Sequence, residues 1–226
     1  MDEFPYVIYV INISDERWKK YENDSRFTRW FGCNGKEDLT LDFVNDKYHF
    51  YWNCNNDLRM NIAGCSQSHL SCLKYIYENK INNVIIIEDD TLLDFEKLKD
   101  SELLKRNQVC YIGGDFHPCK LKDKNQFIKP KYIVEKLSYK KIDTKSFLIS
   151  GAFGYYIPSW ELALTMMKQK GKKRRAIDVE YKNLQKEGFI QDFIYPPLVK
   201  LNMDVAMTGF TYNDKRYKLK DDLSLY

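Results

Sequence analysis

The stretch Val84–Thr91 reads VIIIEDDT: four branched apolar residues lead directly into three carboxylates. Four such residues without polar alternation do not suit a sheet with one wet face. They need cover on both sides, as in a central strand of a parallel sheet. In open α/β sheets the carboxyl ends of the strands are where ligands bind. Three adjacent acids repel each other there, and a hard divalent cation bridging to a phosphate relieves the repulsion. An ordinary acidic strand end is the alternative reading.

The neighbouring patterns extend this strand into a fold. PYVIYVINI, residues 5–13, reads as another buried strand, and Ser14-Asp15-Glu16 then starts a helix expected to run to about Trp30. Ile62, Cys65, His69, Leu73, Ile76 and Tyr77 recur at helical intervals, and Asn79 and Asn82-Asn83 close that helix. A short helix over Phe95–Leu104 and a strand over Val109–Ile112 follow. This βαβαβ rhythm predicts an α/β fold with a central, mostly parallel, Rossmann-like sheet and helices on both faces. Further on, Phe127–Leu137 and Phe147–Ile157 read as strands, Trp160–Lys168 and Asp178–Lys186 as helices, and Phe189–Leu201 as a strand broken by Pro196-Pro197. Residues 39–58 give no clear pattern beyond a possible strand at Tyr48–Trp52.

Composition narrows the function. With 226 residues, 44% of them hydrophobic, the chain can bury a sizeable core. A net charge of +4, from 36 basic and 32 acidic residues, is too balanced to argue for nucleic acid. No apolar run is long enough to span a membrane, since acid cuts VIIIEDD short. The N-terminus lacks a basic n-region, so no signal peptide and a cytoplasmic location are expected. The six cysteines form no CxxC pair; their spacing argues against zinc and for buried, reduced thiols, with Cys65 and Cys72 on one helical face.

Four further features can carry chemistry. His69 lies on an apolar stripe, where a core histidine with both ring nitrogens satisfied is the plain reading; Ser66 and Ser68 beside it are candidate caps. Gly113-Gly114-Asp115 ends a strand. Gly151 and Gly154, in SGAFGYYI, allow close backbone approach to a ligand or simply form a bend. The basic run KQKGKKRR, residues 168–175, could hold a diphosphate or be a solvated loop, and Lys215-Arg216 poses the same choice. Asp178 is an N-cap or a catalytic carboxylate.

Taken in order, VINISDER, GCSQSH, IEDD, YIGG, GAFGYYI and Asp178 resemble glycosyltransferase family 25, the lipooligosaccharide and collagen galactosyltransferases, over about residues 6–200. The resemblance implies a GT-A fold, with a nucleotide-sugar-binding half at 1–120, an acceptor-binding half at 121–212 and a tail at 213–226. It implies inverting transfer of a hexose, galactose or glucose, from a UDP-sugar to a hydroxyl of a glycan or protein-linked acceptor. By the same analogy Asp90, with Glu88, binds Mn²⁺ or Mg²⁺, while Asn12, Arg17, Glu88, Asp89, Gly113, Gly114, Gly151 and Gly154 line the donor pocket. An inverting transfer needs a base, for which Asp178 is the first candidate and Asp115 the second. No His follows His117, so the late metal-binding His of some related transferases has no counterpart, and an inactive UDP-binding protein of the same fold is the competing reading.

Overall fold

The computed structural model describes residues 4–50, 54–118, 137–145, 147–169 and 171–202. The chain opens with β1 (Val7–Asn12), α1 (Asp15–Trp18) and β2 (Phe27–Phe31), then α2 (Gly35–Asp38), α3 (Leu41–Lys47) and the long α4 (Asn56–Glu78). Next come β3 (Val84–Glu88), β4 (Thr91–Leu93), α5 (Phe95–Asp100), β5 (Cys110–Tyr111) and β6 (Asp115–Pro118). The rest is β7 (Ser138–Lys141), β8 (Phe147–Ser150), β9 (Gly154–Ile157), α6 (Trp160–Met166), α7 (Ile177–Lys186), β10 (Asp192–Tyr195) and β11 (Val199–Leu201).

Seven strands form the main sheet in the order β2-β1-β3-β9-β5-β10-β7. β1 pairs in parallel with β2 and β3, and β10 with β5, while β9 runs antiparallel to both its neighbours and β7 to β10. Five strands therefore point one way, as expected, but the sheet is mixed: β9 is inserted backwards at its centre. β9 comes from residue 154 onward and sits between β3 and β5, so both parts of the chain build one sheet.

β3 behaves as its composition requires. Val84 to Ile87 are all fully buried. Val84 and Ile86 pack with Leu73, Ile76, Tyr155, Met166 and Tyr181 beneath α4, α6 and α7. Ile85 and Ile87 point the other way, among Ile8, Val10, Leu98, Leu103 and Tyr156. Each such side chain stabilises the fold by roughly 1.5–3 kcal/mol through burial.

α4 spans 23 residues and positions most of the site. The Asn55 side chain caps it by accepting from the Leu58 N–H at 2.9 Å. Gly64 lets the Cys33–Gly35 backbone lie against it: a Cβ there would come within 2.5 Å of the Gly35 nitrogen. Ser66 and Ser68 fix two neighbours. Ser68 Oγ accepts from the Cys33 N–H and Ser66 Oγ from the Ile177 N–H at the start of α7.

Some expectations change. The helix starting at Ser14 ends at Trp18, and Phe27–Phe31 is an edge strand parallel to β1. Its aromatic spacing fits a helix loosely, but an Asp24–Arg26 turn and pairing to β1 decide the outcome. Leu41–Lys47 is a helix, and Tyr48 makes a single bridge to Arg174. Phe147–Ile157 divides at Gly151 into two strands of different sheets. The strand expected at Phe127–Leu137 falls almost wholly outside the described residues, and Lys215-Arg216 and the tail fall outside them too. Among the described residues no helix is long and apolar enough to cross a membrane.

Candidate active site

The carboxyl ends of β1, β3 and β5 and the start of β9 share one edge of the sheet, since Ile87 is paired with Gly154 and Ile11 with Glu88. Asn12, Glu88, Asp89, Asp90, Gly113 and Gly154 therefore meet there. The three acids do not act as a unit.

Glu88 turns toward α4. Its Oε1 lies 3.0 Å from His69 Nε2 and 4.0 Å from Cys65 Sγ. His69 is fully buried, with Nδ1 2.8 Å from the Tyr155 hydroxyl, which accepts from the Tyr181 hydroxyl at 3.0 Å. The donors thus run from Tyr181 through Tyr155 to Nδ1, and Nε2–H is left to donate to Glu88. His69 is the satisfied core histidine of the plain reading, and it orients a carboxylate at the cleft.

Asp89 turns to the opposite face. Its Oδ1 accepts from Arg17 Nη1 at 2.8 Å and its Oδ2 from Asn12 Nδ2 at 2.7 Å. Both oxygens are committed inside the protein, so Asn12, Arg17 and Asp89 form a clamp that closes the turn after β3.

Asp90 is the remaining acid. Its Oδ1 is buried and has no hydrogen-bond partner among the described residues. Burial, then the charges of Glu88 and Asp89, push its pKa up to about 7, against some relief from Arg17. Lys20, which donates to the Thr91 carbonyl at 3.1 Å, lies close enough to feel Asp89 and Asp90, though burial lowers its pKa on balance.

Asp178 approaches from α7. The N-cap position belongs to Ala176, so the capping alternative for Asp178 does not hold. Its Oδ2 accepts from Ser150 Oγ at 3.4 Å and lies 3.6 Å from Lys182 Nζ. Asp178 joins the acidic tip through Cys65: loss of water around the sulfur first, then the charges of Glu88, Asp178 and Asp90, hold this thiol well above its usual pKa, although the residue as a whole is exposed. Cys72, by contrast, is buried. The backbone sets Asp115 opposite Ser150 in the β6–β8 pair.

The glycines serve packing. A Cβ on Gly154 or Gly113 would meet Val199 at 2.8 or 2.9 Å, and on Gly151 it would meet the Phe153 ring at 2.7 Å. Gly114 is held against Ile149 at a φ of 147°. The close approach these glycines permit is made by the chain's own side chains. The basic run is likewise engaged in part: Lys173 Nζ donates to the Asn45 carbonyl, and the Arg174 backbone bonds to Lys47.

A model of glycosyltransferase family 25, described as an LPS biosynthesis protein family, matches residues 6–180. The chain belongs to glycosyltransferase family 25. None of the curated proteins compared with it matches. Family membership makes it a glycosyltransferase, with a sugar donor and an acceptor as its substrates. The matched span holds Asn12, Arg17, Cys65, His69, the Glu88–Asp90 tip and Asp178, and ends before Tyr181 and Lys182. Three site members, Lys20, Cys65 and Ser150, gave no signal of their own as candidates. Cys65 has no CxxC partner; what marks it is its i,i+4 relation to His69 on α4.

Proposed function

We propose that this glycosyltransferase adopts the GT-A arrangement and transfers galactose or glucose from a UDP-sugar to a hydroxyl of a glycan or glycoprotein acceptor, inverting the anomeric centre. The observation that carries this reading is the buried, unpartnered Asp90 oxygen at the carboxyl end of β3. An orphaned carboxylate with a raised pKa suits a divalent cation, which would remove both the repulsion and the missing contact. Asp90 would hold Mn²⁺ or Mg²⁺, with Glu88 close by; when bound, such an ion neutralises charge on the departing diphosphate.

The other residues take roles their contacts allow. Asn12, Arg17 and Asp89 hold the turn that presents Asp90, and the buried Asn12 Oδ1, without a partner among the described residues, is an acceptor left for the donor. Asp178 is the base. Ser150 and Lys182 both engage its Oδ2, and among the described residues Oδ1 has no hydrogen bond or ion pair, which leaves it to take the acceptor hydroxyl's proton. Asp115 is the second candidate for that role.

The test is UDP release from UDP-galactose and UDP-glucose with Mn²⁺, comparing the native chain with Asp90→Ala. Turnover that falls by orders of magnitude in the variant supports the reading. No turnover with either donor, together with tight UDP binding by calorimetry, would replace it with an inactive nucleotide-binding protein.

A further inference from the structure

We propose that Cys65, His69 and Glu88 form a binding site for a soft divalent cation of the zinc class, open to the cleft. The site differs from the oxygen ligands of Asp90 and does not depend on the donor reading.

Sulfur, imidazole nitrogen and carboxylate oxygen are the ligands such a cation selects, whereas magnesium and manganese prefer oxygen alone. The three ligand atoms all lie within 4.8 Å of one another. Bond lengths of about 2.0–2.3 Å in a tetrahedral site separate ligands by roughly 3.3–3.8 Å, so small side-chain adjustments suffice. Two ligands stand one turn apart on the rigid α4, and the third ends β3, whose four apolar residues are fully buried, which gives a prebuilt frame.

The surroundings supply what a zinc-class site needs. A ligating histidine normally has its other nitrogen held by an outer partner, and Tyr155 occupies that place on Nδ1. Cys65 is exposed, so the cation has a route in and a fourth position facing the cleft. A plain His–Glu hydrogen bond accounts for two of these groups but not for a thiol directed at the same oxygen.

The protons balance. The Cys65 thiol loses its proton to solvent. The His69 proton shifts from Nε2 to Nδ1 as the Tyr155 and Tyr181 hydroxyls reverse direction, so one proton is released per cation. Thiolate and carboxylate together neutralise the double charge.

The test is Co²⁺ titration of the reduced chain, followed by the near-ultraviolet thiolate-to-cobalt band, which needs neither donor nor acceptor. The expected result is a band that saturates at one ion per chain, is bleached by Zn²⁺ and is absent in Cys65→Ser. Tyr155→Phe, which keeps the ring but loses the Nδ1 partner, should weaken binding roughly 10–100-fold. Circular dichroism confirms that each variant is folded. No band in the native chain, a band Zn²⁺ does not bleach, or an undiminished band in Cys65→Ser overturns the proposal.

Discussion

Replacing Asp90 with Asn should make the metal-free protein more stable and the enzyme inactive. Asp90 rises from 3.8 to about 7 because it is buried beside Glu88 and Asp89. At about 1.4 kcal/mol per tenfold change in proton affinity, that is about 4 kcal/mol of unfavourable charge. Neighbouring groups relax when the charge is removed, so a gain of about 1–2 kcal/mol is expected. The sign fixes the pH window. The folded chain binds this proton more tightly than the unfolded chain, so native stability from this group falls as pH rises from about 4 to about 7 and is then constant. The gain of Asp90→Asn should be nearly absent at pH 4, partial at pH 5 and full at pH 8. Urea unfolding in chelator at those three pH values measures it. Saturating Mn²⁺ should then stabilise the native chain, by about 2.7 kcal/mol at a hundredfold excess over the dissociation constant, but not the variant. A variant no more stable than native at pH 8, or a gain independent of pH, would refute the argument that this carboxylate is held at a cost.

Three other outcomes follow from the same geometry. Arg17→Ala leaves Asp89 buried without its cation and should cost about 3–5 kcal/mol in urea unfolding, with much of that recovered by adding Asp89→Asn. Asp178→Asn should lower kcat by about 10²–10⁴ while calorimetry shows UDP binding unchanged; a similar loss of UDP affinity would move Asp178 out of the base role. Gly154→Ala should destabilise by about 1–3 kcal/mol in thermal unfolding, because its Cβ would lie 2.8 Å from the Val199 Cβ; an unchanged melting temperature would show that β11 can move aside freely.

What could be read from the chain alone followed the strength of local patterning. VIIIEDD identified β3 and its two-sided burial, because a short run of branched residues without alternation suits a strand covered on both faces. The helix carrying His69 was visible from its period, although capping by Asn55 begins it at Asn56, earlier than the apolar stripe shows. The edge strand Phe27–Phe31 was missed because aromatic residues at mixed spacing satisfy either period loosely, and its pairing to β1 is a long-range choice. The reversed β9 was also hidden: GYYI carries no mark of direction, and its place between β3 and β5 depends on residues far apart in sequence. The glycines were legible as points of close approach, but not what approaches them. For Gly113 and Gly154 that partner is Val199, which lies in β11, 45 residues beyond Gly154.

The division of the acidic tip follows from the same alternation that buries the apolar run. Ile86 faces the α4 side and Ile87 the opposite core. One residue later Glu88 faces α4 again, where His69 waits, and Asp89 faces the other side, where Arg17 closes on it. Strand geometry thus parts two adjacent carboxylates onto opposite faces and gives each a donor. The strand ends at Glu88, and Asp90 lies beyond it in the turn, with no face of the sheet to turn to. Its buried Oδ1 has no hydrogen-bond partner among the described residues, and Arg17 relieves its charge only in part. An acid spared by the packing that satisfies its neighbours is the group most available to an incoming ligand, which is why the proposed cation site rests on Asp90 and not on the motif as a whole.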